Sequence, residues 1–170
     1  MFRHRPGLAA ELLAGTLGVS VPNYREARLD AGELPDLAPT QYRADAVVVL
    51  ADDVCPVLAV VVEVQLGRDK DKQWTWPVYV TTLRARLRCP TVLLVVCVDK
   101  AVAYACAARI EIGHPDWVFT PLVLGPERVP IVTDADEAAG APELAVLSAM
   151  AHGGRDPGGS KVLDALVPAL

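Results

Sequence analysis

The chain has 170 residues, 52% hydrophobic and 22% charged, with a formal net charge of −5. That length fits one domain with a real core, and the composition excludes disorder on a large scale. The acidic balance argues against a protein that coats nucleic acid non-specifically.

Residues 6–17 read as a short amphipathic helix, with Leu8, Leu12 and Leu13 on one side and Gly15 and Gly18 near its end. Residues 1–13 put basic residues before an apolar patch, but Glu11 interrupts the patch and no small-residue cleavage site follows, so no signal peptide is expected. Residues 24–29 alternate weakly and predict a first strand; residues 30–39, with Gly32, Pro35 and Pro39, predict a loop. Two strong strands follow. YRADAVVVL (42–50) and PVLAVVVEVQ (56–65) are short and rich in β-branched residues, and both read as buried strands joined by a turn over 51–55.

Residues 69–87 predict a helix, with Trp76, Leu83 and Leu87 at helical spacing; Pro77 favours a start near Trp76. Cys89-Pro90 ends it. TVLLVVCV (91–98) is a further buried strand, and 100–108 a short Ala-rich helix. Residues 116–124 and 129–132 predict edge strands around Gly125-Pro126. Residues 135–151 form a helix broken around 140–142. Residues 152–160 (HGGRDPGGS) read as a flexible linker, and 161–170 as a terminal helix with little to pack on. The expected domain therefore spans 1–151, with 152–170 as linker and tail. The class is α/β: a mixed sheet of about five strands flanked by helices.

No apolar stretch suits a bilayer. Residues 46–64 come nearest and are interrupted by Asp52, Asp53 and Pro56. The four cysteines, Cys55, Cys89, Cys97 and Cys106, have no CxxC spacing and read as reduced buried thiols, so the expected location is cytoplasmic.

A turn centred on Val54 sets Asp45 opposite Glu63, each nine residues from the centre. Strand alternation puts Glu63 and Gln65 on one face. Two carboxylates and an amide then meet on a greasy hairpin. Like charges directly opposite repel, and a divalent cation, Mg²⁺ or Mn²⁺, is the most direct compensation. Carboxylates close enough to share one cation are the expected geometry. The competing readings are a solvated strand end for Glu63 and Gln65, and an ion pair of Asp45 with Arg43, Arg84 or Arg88. Residues 68–88 hold six basic residues (Arg68, Lys70, Lys72, Arg84, Arg86, Arg88) against Asp69 and Asp71. Such a run is a solvated helix face or a phosphate-facing patch. Trp74 and Trp76 are either packing residues or base-stacking ones.

Asp45…Glu63-Val64-Gln65, on a hairpin followed by a helix and a strand, resembles the PD-(D/E)XK nuclease superfamily. Gln in the last position resembles its recombination-promoting nuclease and transposase group. The stretch YRADAVVVL…VVVEVQLGRDKDKQWTWPVYVTTLRARLRCPTVLLVV is similar to actinobacterial relatives of that group, over roughly 19–147. The resemblance implies a restriction-endonuclease-like fold and a Mg²⁺- or Mn²⁺-dependent endonuclease acting on DNA. In it Asp45 and Glu63 bind metal, Gln65 stands where a Lys usually assists the attacking water, and Glu11 matches a further acid on the first helix. Arg43, Lys70, Arg84 and Arg88 are the expected phosphate contacts, and a homodimer is a compatible assembly. The rival expectation is a catalytically silent module of the same fold. A third is an oligomerisation protein, marked by a buried Asp45–Arg pair.

Overall fold

A computed structural model describes residues 4–28, 44–154 and 159–167. The chain divides into two compact units, 1–41 with 114–116 and 42–113 with 117–170. In the first, α1 (Leu8–Gly15) buries none of its residues. Residues 24–28, expected to begin a strand, are irregular. The loop expected at 30–39 lies outside the described residues, as do Tyr42 and Arg43.

The second unit is a mixed α/β fold. Its main sheet has four strands: β1 (Ala46–Asp52), β2 (Cys55–Gln65), β3 (Thr91–Cys97) and β6 (Leu122–Leu124), in the order β1-β2-β3-β6. A separate two-stranded sheet pairs β4 (Ile110–Glu111) with β5 (Val118–Phe119). β1 and β2 form the antiparallel hairpin in the expected register, from Ala46↔Val62 to Leu50↔Leu58. The register shifts between Leu50 and Ala51, so the hairpin closes more tightly than expected, with Asp52 opposite Cys55 and Asp53 at φ +52. β2, β3 and β6 are parallel neighbours. The joining crossovers are helical: α2 (Lys72–Leu87) between β2 and β3, and α3 (Lys100–Cys106) after β3.

α2 begins at Lys72, four residues before Trp76, and takes Pro77 inside it. The Asp71 carbonyl accepts from the Trp74 and Thr75 amides at 3.0 and 3.1 Å, opening the first turn, and Trp76 is held in the core at 3% exposure. That packing offsets the bond Pro77 cannot donate. Arg88, left-handed at φ 54, closes the helix. In α3, the Asp99 carboxylate accepts from the Ala101 and Val102 amides, an N-cap worth about 1 kcal/mol.

The core alternates along β2 and β3. Ala59, Val61, Glu63 and Gln65 are buried with Leu93, Val95 and Cys97, under Trp76 and Leu83 of α2 and Val102 of α3. β1 departs from expectation. Val47, Val48, Val49 and Leu50 are between 42% and 49% exposed. The cause is position: β1 is the sheet's edge, and the packed helices lie over β2, β3 and β6. Cys55 is exposed beside the turn, whereas Cys89 and Cys97 are buried. Burial, with Cys106 alongside, pushes the Cys97 thiol up to about 12, so it is inert at neutral pH.

A second cluster joins Val132, Ala138, Ala145 and Ala165, from the loop before α4 (Ala135–Gly140), from α4, from α5 (Pro142–His152) and from α6 (Gly159–Leu166). The strand expected at 129–132 is absent. That segment is instead latched from α5, where Ser148 Oγ accepts from the Val132 amide at 2.9 Å and His152 Nε2 lies 3.0 Å from the Val129 carbonyl. His152 is therefore the buried end of α5 rather than the start of a linker. The terminal helix does have a partner surface, since Val162 and Ala165 are 1% and 4% exposed. A Cβ at Gly159 would meet the His152 and Gly153 carbonyl oxygens at 2.8 Å. Gly159→Ala is therefore expected to lower the melting temperature by prising α6 from α5. Gly140→Ala, with open space around it, is the control and should be neutral or slightly stabilising. Equal melting of the two variants would contradict that packing. Among the described residues no helix is long and apolar enough to cross a membrane.

Candidate functional site around Glu63

The carboxyl end of β2 carries Glu63 and Gln65 inward, and a short loop returns the chain to Lys72 at the start of α2. In open α/β sheets this is where ligands bind. Glu63 is 1% exposed. Its Oε2 accepts from three donors: Lys72 Nζ at 2.5 Å, Trp76 Nε1 at 3.3 Å and Gln65 Nε2 at 3.4 Å. Its Oε1 is equally buried and has no protein partner. An orphaned oxygen on a buried carboxylate is costly and marks a place for a water, a cation or a strained contact.

The hairpin register, extended by one pair, sets Asp45 opposite Glu63. The two differ in environment. Asp45 is exposed, and its Oδ2 accepts from the Val64 amide at 2.7 Å. It thus caps β2 where the ladder of β1 ends. Among the described residues its partner is a backbone amide, and neither Arg84 nor Arg88 pairs with it; Arg43, the third arginine expected there, lies outside the described residues.

Lys72 is the residue that sequence reasoning missed. It lies within the basic run of 68–88, which reads as a solvated helix face or a phosphate-facing patch and does not single it out. The compensating charge beside Glu63 is this ammonium, supplied from within the chain. It also sits 5.9 Å from the Tyr79 ring centroid. Burial alone would lower the Lys72 pKa, but the hydrogen bond and charge of Glu63 outweigh it, with Tyr79 and Asp69 adding, and hold it above 10.5. The folded state therefore binds this proton more tightly than the unfolded chain. Its stabilisation is complete below pH 10.5 and is lost as pH climbs through the raised value. Melting curves of wild type and Lys72→Met are expected to converge above that pH. A constant difference between them up to alkaline denaturation would refute the linkage.

The other expected residues are not gathered here. Lys70 lies in the loop before α2, near the site. Arg84 and Arg88 lie at the far end of α2, roughly 18 and 24 Å from Lys72 at the helical rise, beside Cys89 and Pro90. Glu11 belongs to the first unit and pairs with Arg5 at 2.9 Å on an exposed surface.

Among the described residues no group of three His, Cys, Asp or Glu side chains is placed to hold a metal. Among the described residues a cation here would rest on Glu63 and Asp45. Such a donor set fits Mg²⁺ or Mn²⁺, which take oxygen ligands and can keep several waters on one or two carboxylates. Glu63 Oε1 is the oxygen with capacity to spare. Comparison of the chain with family models, curated proteins and solved structures finds no match.

Proposed function

We propose that this protein is a metal-dependent nuclease-like protein acting on DNA phosphodiester bonds, built on a restriction-endonuclease-like fold. The observation that carries the reading is Glu63: buried, with one oxygen held by the Lys72 ammonium and the other unpartnered. The sequence pattern Asp45…Glu63-Val64-Gln65 lacks the usual lysine. Lys72 supplies that charge from the first turn of the helix, against the same carboxylate. The hairpin, helical crossover and parallel third strand are compatible with such a site and support the reading.

Asp45 and Glu63 would hold the cation, which supplies an activated water and charge neutralisation at phosphate. Lys72 donates toward a phosphate oxygen and stabilises charge that builds there. Gln65 orients water by hydrogen bonding without contributing charge. Trp76 fixes the Glu63 rotamer through its indole N–H.

The silent-module reading is favoured by one observation of its own. Asp45 Oδ2 and Glu63 Oε2 already have internal partners, as in a finished structural network. Metal separates the two readings. Mn²⁺, and less strongly Mg²⁺, is expected to support slow nicking of supercoiled plasmid and to raise the melting temperature, since a ligand of the native state stabilises it. Asp45→Asn should remove both effects while the apo protein stays folded. Melting that ignores metal, together with plasmid left intact, would hand the case to the silent module.

A further inference from the structure

The start of α2 forms one wall of a groove of about 890 Å³, which belongs wholly to the second unit. The opposite wall is the end of α3, β4 and Trp117. Two indoles face this space and are open to solvent, Trp74 at 72% and Trp117 at 45% exposure. Two large aromatic faces exposed in one groove make an apolar patch of the kind that marks interaction sites. The same lining carries Arg68, Lys70, Lys72 and Arg109 against only Asp69 and Glu111, in a chain whose net charge is −5. Arg68, Lys70 and Arg109 are exposed and have no ion pair among the described residues. Lys72 and Trp76 line the groove and also hold the buried Glu63, so two side chains are common to the groove and to that site.

We propose that this groove binds an unpaired DNA strand, with bases stacked on Trp74 and Trp117 and phosphates set against Arg68, Lys70 and Arg109. Flat apolar faces flanked by cations suit a polymer that alternates π-faces with negative charges. An acidic peptide would satisfy the cations but leave the indoles uncovered. A duplex hides its base faces against one another and offers them to no side chain. The choice of DNA rests on the phosphodiester reading of the Glu63 site; the choice of an unpaired strand rests on the groove alone.

The test is quenching of intrinsic indole fluorescence by a short oligothymidylate, in EDTA so that no cleavage occurs. The chain holds three tryptophans, and Trp76 is buried, so quenching reports Trp74 and Trp117. Saturable quenching is expected, with clearly weaker binding of a duplex of equal length. Trp74→Ala and Trp117→Ala should each weaken binding about tenfold, since stacking on one indole contributes that order of affinity. Arg109→Ala, read by anisotropy of a labelled oligonucleotide, should weaken binding and flatten its salt dependence. Trp74 is exposed enough for its variant to keep the wild-type melting temperature. Equal affinity for strand and duplex would overturn the proposal, as would binding indifferent to both tryptophans. Tighter binding of oligouridylate than of oligothymidylate would overturn the assignment to DNA. Binding in EDTA combined with an inert metal-loaded protein would defeat the nuclease reading and leave the groove standing; nicking without oligonucleotide quenching would do the reverse.

Discussion

Lys72→Met is expected to destabilise the second unit by about 3 kcal/mol, the cost of leaving one member of a buried ion pair alone. The asymmetry of the pair sets the size. Lys72 is 20% exposed and Glu63 only 1%, so a widowed ammonium can turn to solvent whereas a widowed carboxylate cannot. The remaining donors, Trp76 Nε1 and Gln65 Nε2, lie at 3.3 and 3.4 Å, too long to hold a full charge by themselves. Glu63→Gln should therefore cost less than Lys72→Met, and the double variant should recover most of the loss, because neither a charge nor its partner is left. The measurement is a double-mutant cycle from denaturant melts, with a coupling of about 1–3 kcal/mol. A loss under about 0.5 kcal/mol for Lys72→Met would mean the pair behaves as an ordinary surface contact.

The hairpin register was legible because two features agreed. A strongly β-branched pair of runs flanked a polar turn, and the single register shift falls at the turn end, leaving the ladder from Ala46 to Leu50 untouched. The exposure of β1 was not legible. AVVVL reads alike in a central or an edge strand, and only the arrangement of helices over β2, β3 and β6 decides it. The irregular path of 129–132 depends on Ser148 and His152, far along the chain, so the local VPIV pattern pointed to a strand. β4 and β5, two residues each, are too short for any period to show. Lys72 and the arginines of α2 illustrate one further blind spot. A block of like charges in sequence looks like one patch, but a helix spreads it lengthwise. It carries Lys72 to Glu63 and sends Arg84 and Arg88 to the opposite end. That Glu63 and Gln65 share one face was legible from strand alternation, and their burial decides against the solvated strand end.

The stabilised double variant Glu63→Gln/Lys72→Met gives the sharper test of chemistry. It should fold nearly as well as wild type and yet lose metal-dependent nicking by about a thousandfold or more, because it lacks both a metal ligand and the ammonium beside it. A purely structural pair would lose nothing once the fold is restored, so activity and stability would move together. Lys72→Arg should separate the roles further. A guanidinium keeps the charge near Glu63 but is broader and planar, so partial stability with markedly lower nicking is expected. Gln65→Lys adds little by this argument. Gln65 is itself 8% exposed, and its amide already shares Glu63 Oε2 with Lys72. A second ammonium would compete for one oxygen and repel the first, lowering the melting temperature. A Gln65→Lys variant that nicks faster than wild type at unchanged stability would show that Lys72 is not the cation of the site. Full nicking by the double variant would remove Glu63 from the chemistry altogether.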